Sequence, residues 1–199
     1  MLYPIGKFIC RTVIRFFLGL KVSGVRNLPR QGGFIVAANH VSNLDPVALG
    51  VACPRPFLFL AKEELFRNRF FGWVLRNVNA FPLKRTGMDI SAIKQAIRWV
   101  RNGGALMIFP EGTRSADGRL GKPQEGIGFL AEKLDCPVIP AYVGGTDKAL
   151  PRGAKFFRRH RISVTFGKQI TPERRQAYSE VANTVMEAIR NLSCQKTIS

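Results

Sequence analysis

Apolar, β-branched runs alternate with segments of helical period along most of this chain, and that alternation restricts the fold more than any other feature. Gly33 to Asn39 reads GFIVAAN, a continuous apolar stretch behind the breaker Pro29-Arg30-Gln31-Gly32. Such a run predicts a strand buried on both faces. Pro56 to Leu60, Ala105 to Phe109, Pro137 to Val143 and the alternating Arg161 to Phe166 are further predicted strands. Between them, Asp89 to Asn102 sets Ile90, Ile93, Ile97 and Val100 at helical spacing and stops at Gly103-Gly104. Gln124 to Leu134 and Pro172 to Leu192 are predicted helices. Asp45-Pro46 has the form of a helix start, with Asp at the N-cap and Pro at the first helical position. The expected class is α/β: a single domain with a largely parallel sheet flanked by helices. The 199 residues suffice for one such core. Ligands of these sheets gather at the carboxyl ends of the strands, so the residues just past each run are the ones to read for chemistry.

Residues 1–21 stand apart from this alternation. Ile5, Phe8, Ile9, Val13, Ile14, Phe16, Phe17 and Leu18 are apolar, while Lys7, Arg11 and Arg15 recur every fourth residue. On a helix those cations form one stripe, and they interrupt the run of roughly 20 apolar residues that a membrane span requires. The charges also do not precede the apolar region as they would in a signal peptide. The segment is expected to be an amphipathic helix lying in the headgroup layer of an anionic membrane, ahead of a domain over residues 22–199. Packing of the same helix on the domain's own core is the alternative. The first carboxylate of the chain is Asp45, which favours the membrane.

Lys and Arg number 31 against 13 Asp and Glu, a formal charge of +18, which implies an anionic partner. Nucleic acid, an anionic bilayer and a phosphate-bearing substrate all qualify. Nothing resembling an RNP motif, a zinc finger or a helix-turn-helix supports nucleic acid. Cys10, Cys53, Cys136 and Cys194 form no C-x-x-C pair and have no His at ligand spacing, so neither a zinc site nor a disulfide framework is expected. Two stretches mix aromatics with cations. Leu65 to Arg76 suits membrane docking, an acyl channel or a packed helix with snorkelling Arg side chains. Lys155 to Arg161 (KFFRRHR) reads as a cationic loop near lipid.

Three polar clusters follow apolar strands. In Asn39-His40-Val41-Ser42-Asn43-Leu44-Asp45-Pro46, a tight turn can fold Asp45 back onto one ring nitrogen of His40. That fixes the tautomer, leaves the other nitrogen as a general base and stabilises the imidazolium that forms. With no Ser, Cys or Lys evident as covalent nucleophile beyond the nearby Ser42, direct attack by a substrate hydroxyl is the fitting chemistry. The spacing alone is ordinary. In Phe109-Pro110-Glu111-Gly112-Thr113-Arg114-Ser115, Gly112 permits close backbone approach. Arg114 offers a planar fork for phosphate, and Glu111 can orient it or accept from a hydroxyl. Phe81 to Arg85 brings the adjacent cations Lys84 and Arg85 to a third strand end.

These blocks, with Val138-Ile139-Pro140-Ala141-Tyr142-Val143 as a fourth, resemble those of the glycerolipid acyltransferases in their order over residues 39–143. The likeness is strongest to the bacterial 1-acylglycerol-3-phosphate acyltransferases. The resemblance implies His40 as general base with Asp45 orienting it. It also implies that Arg85 and Glu111, Gly112, Thr113 and Arg114 bind the acceptor's phosphate and glycerol. The implied donor is acyl-CoA or acyl-acyl carrier protein, the acceptor 1-acyl-sn-glycerol 3-phosphate, and the product phosphatidic acid, with no metal or cofactor. The implied location is the cytoplasmic face of the cell membrane. Lys84 stands where an acidic or small polar residue is frequent in the family, so another acceptor, glycerol 3-phosphate or a lyso-aminolipid, stays open.

Overall fold

Strand β2 (Phe34–Ala38) is buried at all five positions, which is why its sequence lacks polar alternation. Phe34, Val36 and Ala38 join one hydrophobic cluster, and Ile35 and Ala37 join another on the opposite face of the sheet. The computed structural model describes residues 12, 14, 16–77, 79–83, 89–154, 156–173 and 175–195. Among these, β2 is joined by β1 (Lys21–Ser23), β3 (Phe57–Lys62), β4 (Ala80–Leu83), β5 (Ala105–Ile108), β6 (Val138–Gly144) and β7 (Ser163–Phe166) in the order β1-β7-β6-β2-β5-β3-β4. Every neighbouring pair is parallel except β6 and β7.

Helices cover both faces. On one side lie α1 (Asp45–Ala52), the short α5 (Thr146–Ala149) and the side chains of Ile14 and Leu18. On the other lie α3 (Ile90–Arg101), α4 (Gly126–Leu134) and α6 (Tyr178–Gln195). Each fully buried Phe or Leu, such as Phe34, Phe57 and Leu106, contributes roughly 1.5–3 kcal/mol of burial. Helix α3 is capped by Asp89, whose carboxylate accepts from the Ser91 and Ala92 amides. It passes so close to the start of β2 that a Cβ on Gly33 would sit 2.1 Å from the Val100 carbonyl oxygen. No side chain fits there.

Several expectations shift in detail. Asp45 is not the N-cap of α1: Leu44 holds that position, and Asp45 is already helical with its side chain turned back into the preceding loop. Of the predicted stripe on α3, Val100 is buried and Ile97 packs against the core while Ile90 is exposed, and Ala92 and Ala96 complete the buried face. Small residues win because the helix lies close on the sheet. Helix α6 begins at Tyr178, not Pro172, because the preceding chain is tied to the sheet by paired hydrogen bonds between Ile170 and Val138. β1 was not predicted; its three residues have no pattern of their own and pair with β7 at the sheet edge. Most of the expected amphipathic segment, residues 1–21, lies outside the described residues. Ile14 and Leu18 are buried in the core, Phe16 and Phe17 are exposed, and Lys7, Arg11 and Arg15 lie outside the described residues. Among the described residues no helix is long and apolar enough to cross a membrane.

The stretch from Leu65 to Arg76 forms a 3-10 turn (Glu63–Phe66) followed by α2 (Arg69–Asn77). Leu75 is buried, Trp73 is exposed, and the Arg76 guanidinium lies over the Phe66 ring, 5.4 Å from its centroid.

Candidate active site

The site forms where the carboxyl ends of β2 and β5 lie side by side, in the register Ala37↔Ile108. The loops leaving both strands therefore start as neighbours. Asn39, buried just past β2, locks its turn to β6: its side chain donates to the Val143 carbonyl at 2.9 Å and accepts from the Val143 amide at 2.7 Å. The next residue, His40, is thus projected from a fixed backbone.

Asp45 is 0% exposed. Its Oδ2 faces His40 Nδ1 at 2.8 Å and accepts from the Val41 and Ser42 amides at 2.7 and 2.8 Å. Its Oδ1 accepts from the Thr146 hydroxyl at 2.5 Å. A buried carboxylate is tolerable when donors surround it, and here both oxygens are engaged. With a carboxylate at Nδ1, the ring proton belongs on that nitrogen and Nε2 carries the free lone pair. Among the described residues Nε2 has no hydrogen-bond partner. The ring is 17% exposed and stacks on Phe109, with centroids 4.0 Å apart and an interplanar angle of 15°. One face is held by Phe109 and one nitrogen by Asp45, which leaves little rotational freedom.

The second block grips the same turn from the β5 side. The Glu111 carboxylate accepts from the His40 amide at 3.0 Å and from the Gly121 amide at 2.8 Å, while the Ser115 amide donates to the His40 carbonyl at 2.8 Å. Glu111, expected to orient Arg114 or accept from a hydroxyl, instead has both oxygens on backbone amides and is buried. Gly112 adopts φ 69°, a conformation that disfavours any side chain, as its loop turns away from β5. Beyond it, Thr113, Arg114, Arg119 and Lys122 line an open cleft of about 500 Å³ that also reaches Glu111. Arg114 makes no ion pair among the described residues. The Arg119 amide and the Ser115 hydroxyl hold the Asp117 carboxyl below its usual range. A second cleft of about 250 Å³ lies beside Asn39 and Val41 and is lined by Tyr142, Lys148 and His160.

Lys84 and Arg85 follow the end of β4 and lie outside the described residues, so the structure neither joins them to this cluster nor separates them from it. Among the described residues, no group of three or more His, Cys, Asp and Glu is arranged to hold a metal ion. Sequence reasoning missed Asn39, Phe109 and Thr146 as parts of the site. Thr146 meets Asp45 across 101 positions of chain, and the only local signal is the Gly144-Gly145 turn that carries it past β6.

Residues 19–144 match the model of the acyltransferase family, and the chain belongs to that family. It is 30% identical to the 1-acyl-sn-glycerol-3-phosphate acyltransferase of Bacillus subtilis over 183 residues, covering 87% of this chain and 89% of that protein. The enzyme of the same name from Streptococcus pneumoniae is 34% identical over 148 residues, covering 72% of this chain and 52% of that protein. The chain also matches the crystal structure of the 1-acyl-sn-glycerophosphate (LPA) acyltransferase PlsC from Thermotoga maritima. That match has a TM-score of 0.83 and 26% identity, covering 96% of this chain and 78% of that one. Fold and family together define an acyltransferase.

Proposed function

We propose that this acyltransferase moves a fatty acyl group from an acyl thioester, acyl-CoA or acyl-acyl carrier protein, to the free hydroxyl of 1-acyl-sn-glycerol 3-phosphate, giving phosphatidic acid. The observation that carries the chemistry is the contact of 2.8 Å between His40 Nδ1 and Asp45, which leaves Nε2 as the available base. The names of the relatives supply the acceptor.

In the proposed reaction, Nε2 takes the proton of the acceptor hydroxyl as its oxygen bonds to the thioester carbonyl carbon. The buried Asp45 carboxylate stabilises the imidazolium. Collapse of the tetrahedral intermediate breaks the carbon–sulfur bond, and the departing thiolate takes back the proton. A thioester is already activated, so one base and good positioning suffice, and the proposal calls for no metal or cofactor. Arg114, Arg119 and Lys122 supply the charge for the acceptor's phosphate, with Lys84 and Arg85 as further candidates. The enzyme is proposed to work at an anionic membrane surface on the cytoplasmic side, where its acceptor resides.

The test is conversion of labelled oleoyl-CoA and 1-acylglycerol-3-phosphate by purified protein, beside His40→Ala and with glycerol 3-phosphate as a competing acceptor. Labelled phosphatidic acid from the wild type alone is the expected outcome. Equal product from the variant would remove His40 from its role, and acylation of glycerol 3-phosphate instead would change the acceptor.

A further inference from the structure

The loop from Pro151 to Ile162, between α5 and β7, exposes two adjacent phenylalanines with nothing on them: Phe156 is 82% and Phe157 62% exposed. Isolated exposed apolar residues are normal on a soluble surface, but an adjacent aromatic pair on a loop is not explained by packing. The loop is tied down on either side of the pair. Ala154 donates its amide to Pro151 at 3.0 Å, Arg158 to the Ala149 carbonyl at 2.8 Å, and Ile162 to the Leu18 carbonyl at 3.1 Å. The last of these bonds joins the loop to the residue just after Phe16 and Phe17, which are 78% and 69% exposed. All the strongly exposed phenylalanines among the described residues thus fall in two adjacent pairs, on segments hydrogen-bonded to one another at the β1–β7 edge of the sheet.

The charge around the pair has one sign. Arg152, Lys155, Arg158, Arg159 and Arg161 lie in this loop, and no Asp or Glu occurs between Asp147 and Glu173. Arg152, Arg158, Arg159 and Arg161 are exposed and make no ion pair among the described residues. We propose that Phe156 and Phe157 form a second membrane-insertion point, which acts with Phe16 and Phe17 to seat the β1–β7 edge of the enzyme on an anionic bilayer. A headgroup layer accommodates both parts of the loop, the rings below the phosphates and the guanidinium groups among them. An acidic protein surface would meet the cations and leave the rings to be matched separately. The seating also has a consequence for the site. Lys148, in α5 just before this loop, and His160, near its far end, line the cleft beside Asn39 and Val41, so the bound edge brings that cleft to the lipid.

The proposal rests on the reading that the substrates are membrane lipids, and its test is independent of that reading. Wild type, Phe156→Ala/Phe157→Ala and Phe156→Trp/Phe157→Trp are sedimented with phosphatidylcholine vesicles, with and without phosphatidylglycerol. Each is also assayed on a short-chain acceptor that stays monomeric in water. The Ala pair is expected to weaken partition onto the anionic vesicles by about tenfold or more. The Trp pair is expected to restore it, and activity on the monomeric acceptor should be unchanged in both. Unchanged partition of the Ala pair, or an equal loss of activity on monomeric acceptor, would overturn the proposal. So would binding of an acidic carrier protein that depends on the pair while vesicle binding does not. Lack of wild-type activity on any lysolipid would refute the proposed reaction while leaving the vesicle result to be read by itself.

Discussion

Thr146, at the start of a four-residue helix beyond β6, donates its hydroxyl to Oδ1 of Asp45 at 2.5 Å, on the carboxylate whose other oxygen faces His40. The proposed base is therefore oriented by a carboxylate that is itself oriented from another part of the chain. Thr146→Val keeps the shape and removes the donor. It is expected to cost about 1–3 kcal/mol of stability, since it strands a buried acceptor. It should also lower kcat about tenfold through a misdirected imidazole. Thr146→Ser should recover most of both. Thermal melts and steady-state kinetics on the three proteins separate positioning from simple destabilisation, because a purely structural role would move Tm and leave kcat of the folded fraction intact.

Asp45→Asn retains size and hydrogen-bonding capacity but removes the charge that holds the proton on Nδ1. In a base–carboxylate pair this exchange favours the wrong tautomer, and kcat is expected to fall by a factor on the order of 10³ to 10⁴. Single-turnover measurements at saturating donor check the size of the loss. An effect below about tenfold would show that the carboxylate serves mainly to hold the Val41 and Ser42 amides.

The cations of the cleft beyond Gly112 should act on binding of the acceptor. Arg114→Ala is expected to raise KM for 1-acylglycerol-3-phosphate by about 10- to 100-fold, with little change in KM for the thioester. Arg119→Ala and Lys122→Ala, with weaker or more exposed geometry, should have smaller effects in the same direction. Initial-rate measurements with each substrate varied in turn distinguish this from a role in donor binding, which would shift the other constant.

The thiols report folding. Burial pushes the Cys136 thiol up to about 12, so at pH 8 almost none of it is the reactive thiolate. Cys53 is fully enclosed, and Cys194 is exposed on α6. Iodoacetamide at pH 8 is expected to modify Cys194 in the native protein and to reach Cys53 and Cys136 only as denaturant unfolds the sheet. Mass mapping of the labelled peptides gives the outcome directly.

The parts of the fold legible in the sequence are those whose burial leaves a compositional mark. β2, β5 and β6 are covered on both faces and read as unbroken apolar runs, so their positions follow from residues such as Phe34 to Ala38. β1 is set by its neighbour: Lys21 to Ser23 become a strand only because β7 offers a partner. Helix starts depart from the sequence pattern where a side chain or the backbone has another task. Asp45 resembles a cap in sequence yet serves His40, and the Pro172 segment is diverted by the pairing of Ile170 with Val138. In the site, the contact of His40 with Asp45 lies within one turn of chain and is legible from local spacing. Phe109 and Thr146 reach the same two side chains across the sheet, and only register brings them there.

The carboxylate of Glu111 bridges the amides of His40 and Gly121, and the Ser115 amide closes the same circuit on the His40 carbonyl. Mechanically, the 111–121 loop and the histidine turn are one part rather than two. An attempt to retune acceptor preference by rebuilding that loop would therefore disturb turnover together with affinity. Exchanging the outward-facing cations while leaving the Glu111 bridge untouched is the route by which specificity can drift with the chemistry preserved.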